Sequence, residues 1–132
     1  MKQENLLKIA MAQIAPAWLH KNKTIEKIKS LIIDAGEKKC ELIVFGEALL
    51  PGYPFWVSLT NGSEFNSIIQ KELYAHYIRN SVQIENGDLH KICTLAKEYN
   101  IAIYLGIIER AKNRGGHSLY CSLVYIDANG EI

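Results

Sequence analysis

Two uninterrupted apolar runs, Leu42 to Phe45 and Ile101 to Leu105, constrain this chain more than any other feature. Apolar residues without polar alternation suit strands buried on both faces, as in a parallel sheet. Each run is preceded by a helical pattern. From Asn22 to Gly36, Ile25, Ile28, Leu31, Ile32 and Ala35 recur at steps of three and four, with lysines and Glu26 opposite. This predicts an amphipathic helix that stops at or near Gly36. Asp88 is expected to cap a helix through Leu89, Ile92, Leu95, Ala96 and Tyr99, ending at Asn100. Leu6 to Ile14 reads as a buried first strand, so strand, helix and strand follow within a single βαβ unit. The fold class is therefore α/β.

The rest of the chain fills in this plan. Glu64 to Arg79 reads as another helix, with Phe65, Ile68, Ile69, Leu73 and Tyr77 on one side and a cap in Asn61-Gly62-Ser63. Leu119 to Ile126 is a β-rich run between turns at Arg114-Gly115-Gly116 and Asp127-Ala128-Asn129-Gly130. The second turn announces a returning strand, and only Glu131-Ile132 follow it. Residues 1–132 are thus expected to be the front part of a longer domain. The sheet face carrying Leu7, Ile43, Ile103 and Val124 is expected to await a partner sheet, which would favour self-association.

The chemistry concentrates in Leu42 to Trp56. The strand ends at Gly46, and Glu47 is the first carboxylate past its carboxyl end, where open α/β sheets collect their ligands. Pro51, Gly52 and Pro54, with Tyr53, Phe55 and Trp56 among them, read as a stiff, aromatic-walled loop. The ordinary reading of such a glutamate is a solvated loop residue or a helix cap. Three aromatics and two prolines in six residues argue against plain solvation. Glu109 repeats the arrangement after the run Ile101 to Leu105 and Gly106, so both carboxylates are expected on one side of the sheet, with Tyr53 at the mouth of their cleft. The competing reading of Glu109 is an ion pair with Arg110 or a lysine.

Composition narrows the function classes. A length of 132 residues suits one core, and 48% apolar with 22% charged residues is the balance of an ordinary soluble protein. A net charge of +1 gives no pull towards nucleic acid or anionic membranes. No apolar run approaches the roughly 20 residues of a membrane span, and Met1 to Asn5 does not open a secretory signal. Cys40, Cys93 and Cys121 form no pair motif; a cytoplasmic location and a buried, structural role are expected for all three. His20, His76, His90 and His117 share no ligand spacing, so no metal site is expected.

Four blocks then carry a resemblance: Phe-Gly-Glu-Ala-Leu-Leu-Pro-Gly-Tyr-Pro (45–54), Ile-Ala-Met-Ala-Gln-Ile (9–14), Tyr-Leu-Gly-Ile-Ile-Glu-Arg (104–110) and Gly-Gly-His-Ser-Leu-Tyr (115–120). In their order along the chain they resemble the nitrilase family of carbon–nitrogen hydrolases, and the Pro-Gly-Tyr-Pro loop is more like its nitrilase branch than its amidase or carbamoylase branches. The resemblance implies the N-terminal part of an α-β-β-α sandwich and a Glu-Lys-Cys catalytic set. It makes Glu47 the general base and Glu109 a supporting glutamate, and puts Tyr53 and Trp56 against the substrate. The implied substrate is a small nitrile or amide, with no cofactor, and the family's habit of pairing sandwiches implies a homo-oligomer. Gly46, where the family more often has proline, and Cys121, where asparagine commonly follows the tyrosine, depart from the pattern. The lysine and the nucleophilic cysteine are expected beyond Ile132, so the chain alone is expected to be inactive. A different class, a catalytically empty α/β binding or assembly module, would keep the loop and lack both. A nucleotide-binding domain is disfavoured, because Ala15-Pro16-Ala17-Trp18-Leu19 contains no glycine-rich phosphate loop.

Overall fold

The structure, a computed structural model, describes residues 6–113 and 115–132. Its elements are strand β1 (Ile9–Ala12), helix α1 (Lys21–Glu37), strand β2 (Leu42–Phe45), helices α2 (Trp56–Leu59), α3 (Ile68–Asn80) and α4 (His90–Tyr99), and strands β3 (Ala102–Glu109) and β4 (Tyr120–Ile126). A 3₁₀ turn at Ile84–Asn86 precedes α4. The strands lie in the order β1-β2-β3-β4, with β1, β2 and β3 parallel and β4 antiparallel to β3. The α/β class and the order of elements are as the sequence implies. Arg114 of the expected 114–116 turn and Met1 to Asn5 lie outside the described residues.

Burial of the strands differs from expectation. Crossovers of one hand along an unreversed strand order must put their helices on one face of the sheet. Ile25, Ile28 and Ile32 of α1 and Ile92 and Ala96 of α4 share one core cluster with Ile43, Phe45, Ile103, Leu105, Ile107, Val124 and Ile126. The alternate residues point the other way, and Met11, Tyr104, Leu123 and Tyr125 are exposed there. One face is thus covered by α1 and α4; the other is open at those residues and covered at Ile108, which packs with Leu19, Ala48, Trp56 and Tyr77. The expectation for Ile43, Ile103 and Val124 is inverted: they face the helices, while the residues between them form the open face. Leu7 is exposed and precedes the ladder.

Element ends moved where side chains found other partners. Strand β1 pairs with β2 over four residues only, so Leu6 to Lys8 fall outside the ladder. Helix α1 ends at Glu37, beside Gly36 as expected, and Gly36 has a second role. It lets α4 approach, because a Cβ there would stand 2.6 Å from two side-chain carbons of Tyr99. Helix α3 starts at Ile68 under a Ser67 cap, leaving Phe65 98% exposed. Asp88 caps nothing in α4; its carboxylate accepts from the Gln83 N–H at 2.8 Å and pairs with Lys21 at 2.7 Å, joining α1 to the turn before α4. The turn at 127–130 is present, with the Asp127 side chain accepting from the Asn129 and Glu131 N–H groups. Among the described residues, no helix is long and apolar enough to cross a membrane.

Candidate active site

Strand β2 stops at Phe45 because the chain turns sharply at Glu47 to Leu49, with Ala48 at a φ of +50°. Leu50 then rejoins the sheet beside β3: its N–H donates to the Gly106 carbonyl at 3.2 Å, and its carbonyl accepts from Ile108 at 2.8 Å. The turn lies directly on β3, where Gly106 leaves room for it. A Cβ at Gly106 would stand 2.7 Å from Glu47 Cα and 2.8 Å from Ala48 N, with the Gly46 carbonyl oxygen closer still. A lone glycine inside a strand pattern signals such an approach. That signal was present in the sequence at Gly106.

The loop that follows is held by its carbonyls, which supports the reading of a stiff wall. The Leu19 N–H donates to the Pro51 carbonyl at 3.0 Å, the Trp18 indole N–H to Tyr53 at 2.8 Å, and the buried Tyr77 hydroxyl to Gly52 at 2.9 Å. Burial pushes the Tyr77 hydroxyl far up, so it stays a donor. Gly52 has a φ of +138°, and a Cβ there would meet the Trp18 ring at 2.7 Å.

Glu47 and this loop frame a pocket of about 480 Å³, walled by Trp18, Tyr53, Phe55, Leu49 and Ile14. Tyr53 and Phe55 stack at a tilt, with centroids 4.9 Å apart. Glu47 is the one charged residue among those described that line it. Tyr53 lines this pocket beside Glu47, and not a cleft common to both glutamates. Trp56 does not line it: it is 6% exposed, packs edge-on against Tyr77, and belongs to a second cluster with Leu19, Ala48 and Ile108. As the first residue of α2 it turns inward, and Trp18 supplies the indole of the wall instead. Trp18 carries no local signal for this role: it lies 35 positions from Tyr53 in the chain, and the fold brings the two together.

The two glutamates do not share a cleft. The Glu47 Oε1 is 3.4 Å from Cys121 Sγ, while Ser122 Oγ donates to Glu109 Oε2 at 2.7 Å. Cys121 and Ser122 are neighbours on β4 and therefore point to opposite faces. Glu109 is the last residue of β3, not a loop residue after it, and lines a separate polar pocket with Glu85, Asn113 and Tyr120. It makes no ion pair with Arg110, whose guanidinium donates to Gln83 Oε1.

Cys121 is also a correction. It is neither buried nor remote from Glu47; Cys40 is the buried cysteine, and Cys93 is half-buried. Desolvation and then the Glu47 carboxylate push the Cys121 thiol up, against a smaller opposing effect of the Ala48 backbone N–H. The thiol is a hydrogen-bond donor to Glu47, not a standing thiolate. Among the described residues, no three His, Cys, Asp or Glu side chains cluster as metal ligands.

Comparison with known proteins bears on the family and the fold. The family model described as carbon-nitrogen hydrolase matches residues 8–132. An arylacetonitrilase of Hypocrea virens is 33% identical over 98% of this chain and 36% of its own length. An aliphatic nitrilase of Rhodococcus rhodochrous is 33% identical over 97% of this chain and 33% of its own. Among solved structures, the NitN amidase from Neterenkonia sp. AN1 shares the fold with a TM-score of 0.63 at 16% identity, covering 96% of this chain and 41% of that one. The C. elegans NitFhit protein does so with a TM-score of 0.59 at 22% identity, covering 95% and 27%. The chain spans about a third of the length of the curated relatives it matches.

Proposed function

The chain belongs to the carbon–nitrogen hydrolase family, and from that premise we propose that it is the N-terminal part of a nitrilase-type hydrolase in which Glu47 is the general base. The observation that carries this reading is the placement of Glu47. A lone carboxylate stands past the end of a parallel strand, against a pocket whose walls are Trp18, Tyr53 and Phe55. Such walls take the apolar body of a small nitrile and leave its reacting carbon to the polar end. The named nitrilases among the relatives favour nitrile over amide as the substrate.

In the proposed reaction a cysteine thiolate adds to the nitrile carbon, forming the C–S bond of a thioimidate. Glu47 takes the thiol proton and passes it to the nitrogen as a C–N π bond breaks, then takes a proton from water and delivers it to the leaving ammonia, while a lysine stabilises charge on the nitrogen. Two waters are consumed, giving the carboxylic acid and ammonia. The lysine and the nucleophile are assigned to no residue of this chain. Cys121 touches Glu47, but its raised thiol makes it a poor nucleophile, and the proposal gives the chain alone no turnover. Glu109 and Trp56 have no direct part, since one lines another pocket and the other lies in the core.

The test is ammonia release from phenylacetonitrile by this chain alone and by the chain extended through the length of its relatives. Glu47→Gln should lower turnover of the extended form about 10²- to 10⁴-fold, the span of general-base catalysis. Full activity in that variant would overturn the role of Glu47. Ammonia release by the short chain, lost in Cys121→Ala, would instead make Cys121 the nucleophile.

A further inference from the structure

We propose that Cys121 is a positioning residue for Glu47, its thiol holding one carboxylate oxygen so that the other is presented to the aromatic pocket. The inference rests on the reading of Glu47 as the general base. Glu47 is exposed in a turn, and a glutamate there has three free torsions. Among the described residues, the Cys121 thiol is the side chain hydrogen-bonded to it, at 3.4 Å from Oε1.

The thiol itself is firmly placed. Cys121 pairs in register with Ile108 across β3 and β4, and Ile108 is buried with Ala48, Trp56 and Tyr77. A donor carried on a paired strand holds its partner better than one on a loop. A thiol serves as donor only while protonated, and its surroundings favour that form. The next residue, Ser122, cannot take over, because it faces the other side of the sheet and is bonded to Glu109.

Two measurements test this. In the first, Cys121 of the 132-residue chain is alkylated with iodoacetamide at pH 8 and followed by peptide mass. Removing the neighbouring negative charge with Glu47→Gln should speed its alkylation roughly threefold or more. An unchanged rate would mean that the contact does not exist in solution, and the proposal falls. In the second, the extended, nitrile-hydrolysing form carries Cys121→Ser, Cys121→Val or Cys121→Ala, assayed with phenylacetonitrile. Serine keeps a donor and should hold kcat near the parent. Valine keeps volume without a donor, and both it and alanine should lower kcat about three- to tenfold at unchanged KM, the loss expected of a weak donor. Equal kcat in all three, or a valine variant matching serine, would reduce Cys121 to packing. If Glu47→Gln were fully active, the base reading would fail and positioning with it, while the alkylation result would still report the contact.

Discussion

Gly106→Ala presses directly on the turn that carries Glu47. The added methyl would stand 2.7 Å from Glu47 Cα and 2.8 Å from Ala48 N, well inside the 3.4 Å at which ordinary contact begins. The atoms it meets are backbone, so no side-chain rotamer change relieves the overlap. The turn carrying Glu47 must lift off β3, weakening the hydrogen bond from Leu50 N to the Gly106 carbonyl. Overpacking of this kind costs about 1–3 kcal/mol, which for a domain of this size lowers Tm by roughly 4–12 °C. Thermal unfolding followed by circular dichroism reads the loss. Alkylation of Cys121 reads the displacement, since a carboxylate moved away from the thiol should leave it more reactive. Gly46→Ala is the matched control: a Cβ there meets nothing within 4 Å, so the variant should be neutral or gain up to about 1 kcal/mol from a stiffer unfolded chain. A Gly106→Ala protein that melts with the parent and keeps its Cys121 reactivity would refute the close approach of turn and strand.

Three further outcomes are expected. Tyr77→Phe removes the donor to the Gly52 carbonyl and should cost about 1 kcal/mol, visible as an earlier urea midpoint at unchanged slope; an unshifted midpoint would mean the loop is held without it. The Asp127 carboxyl lies below its ordinary value of 3.8 because the folded turn donates N–H groups to its charged form, the Glu131 N–H foremost. A lowered folded-state pKa gives stability that is complete above the unfolded value and is lost as pH falls below it. Amide exchange at Glu131 should therefore stay protected down to about pH 4 and rise below it. Leu123 is 66% exposed on the open sheet face with Met11, Tyr104 and Tyr125. The chain is expected to self-associate through this face, and Leu123→Lys should then lower its light scattering, with stability changed by no more than about 0.5 kcal/mol. Equal scattering would show that the face does not mediate association.

The sequence by itself determined what depends on neighbours along the chain. The 3.6-residue spacing of Ile25, Ile28 and Ile32 makes a helix wherever that helix lies. The runs at 42–45 and 101–105 make strands, and Pro51, Gly52 and Pro54 make a rigid loop, which places Glu47 at a strand end beside aromatic rings. Tertiary structure alone decided which side chains meet. An apolar run looks the same whether one or both faces are covered, so the open face bearing Met11 and Tyr104 could not be read from it. Of two tryptophans near the loop, packing sent Trp56 inward against Tyr77 and left Trp18 in the wall. The partner of Glu47 lies 74 positions away, and its identity hangs on the pairing of Ile108 with Cys121. Side chains alternate along a strand, so a slip of one residue would offer Ser122 to Glu47 and turn Cys121 towards Glu109. Register is fixed by the burial of Val124 and Ile126 against the helices, a condition set by the whole sheet and by no local stretch of sequence.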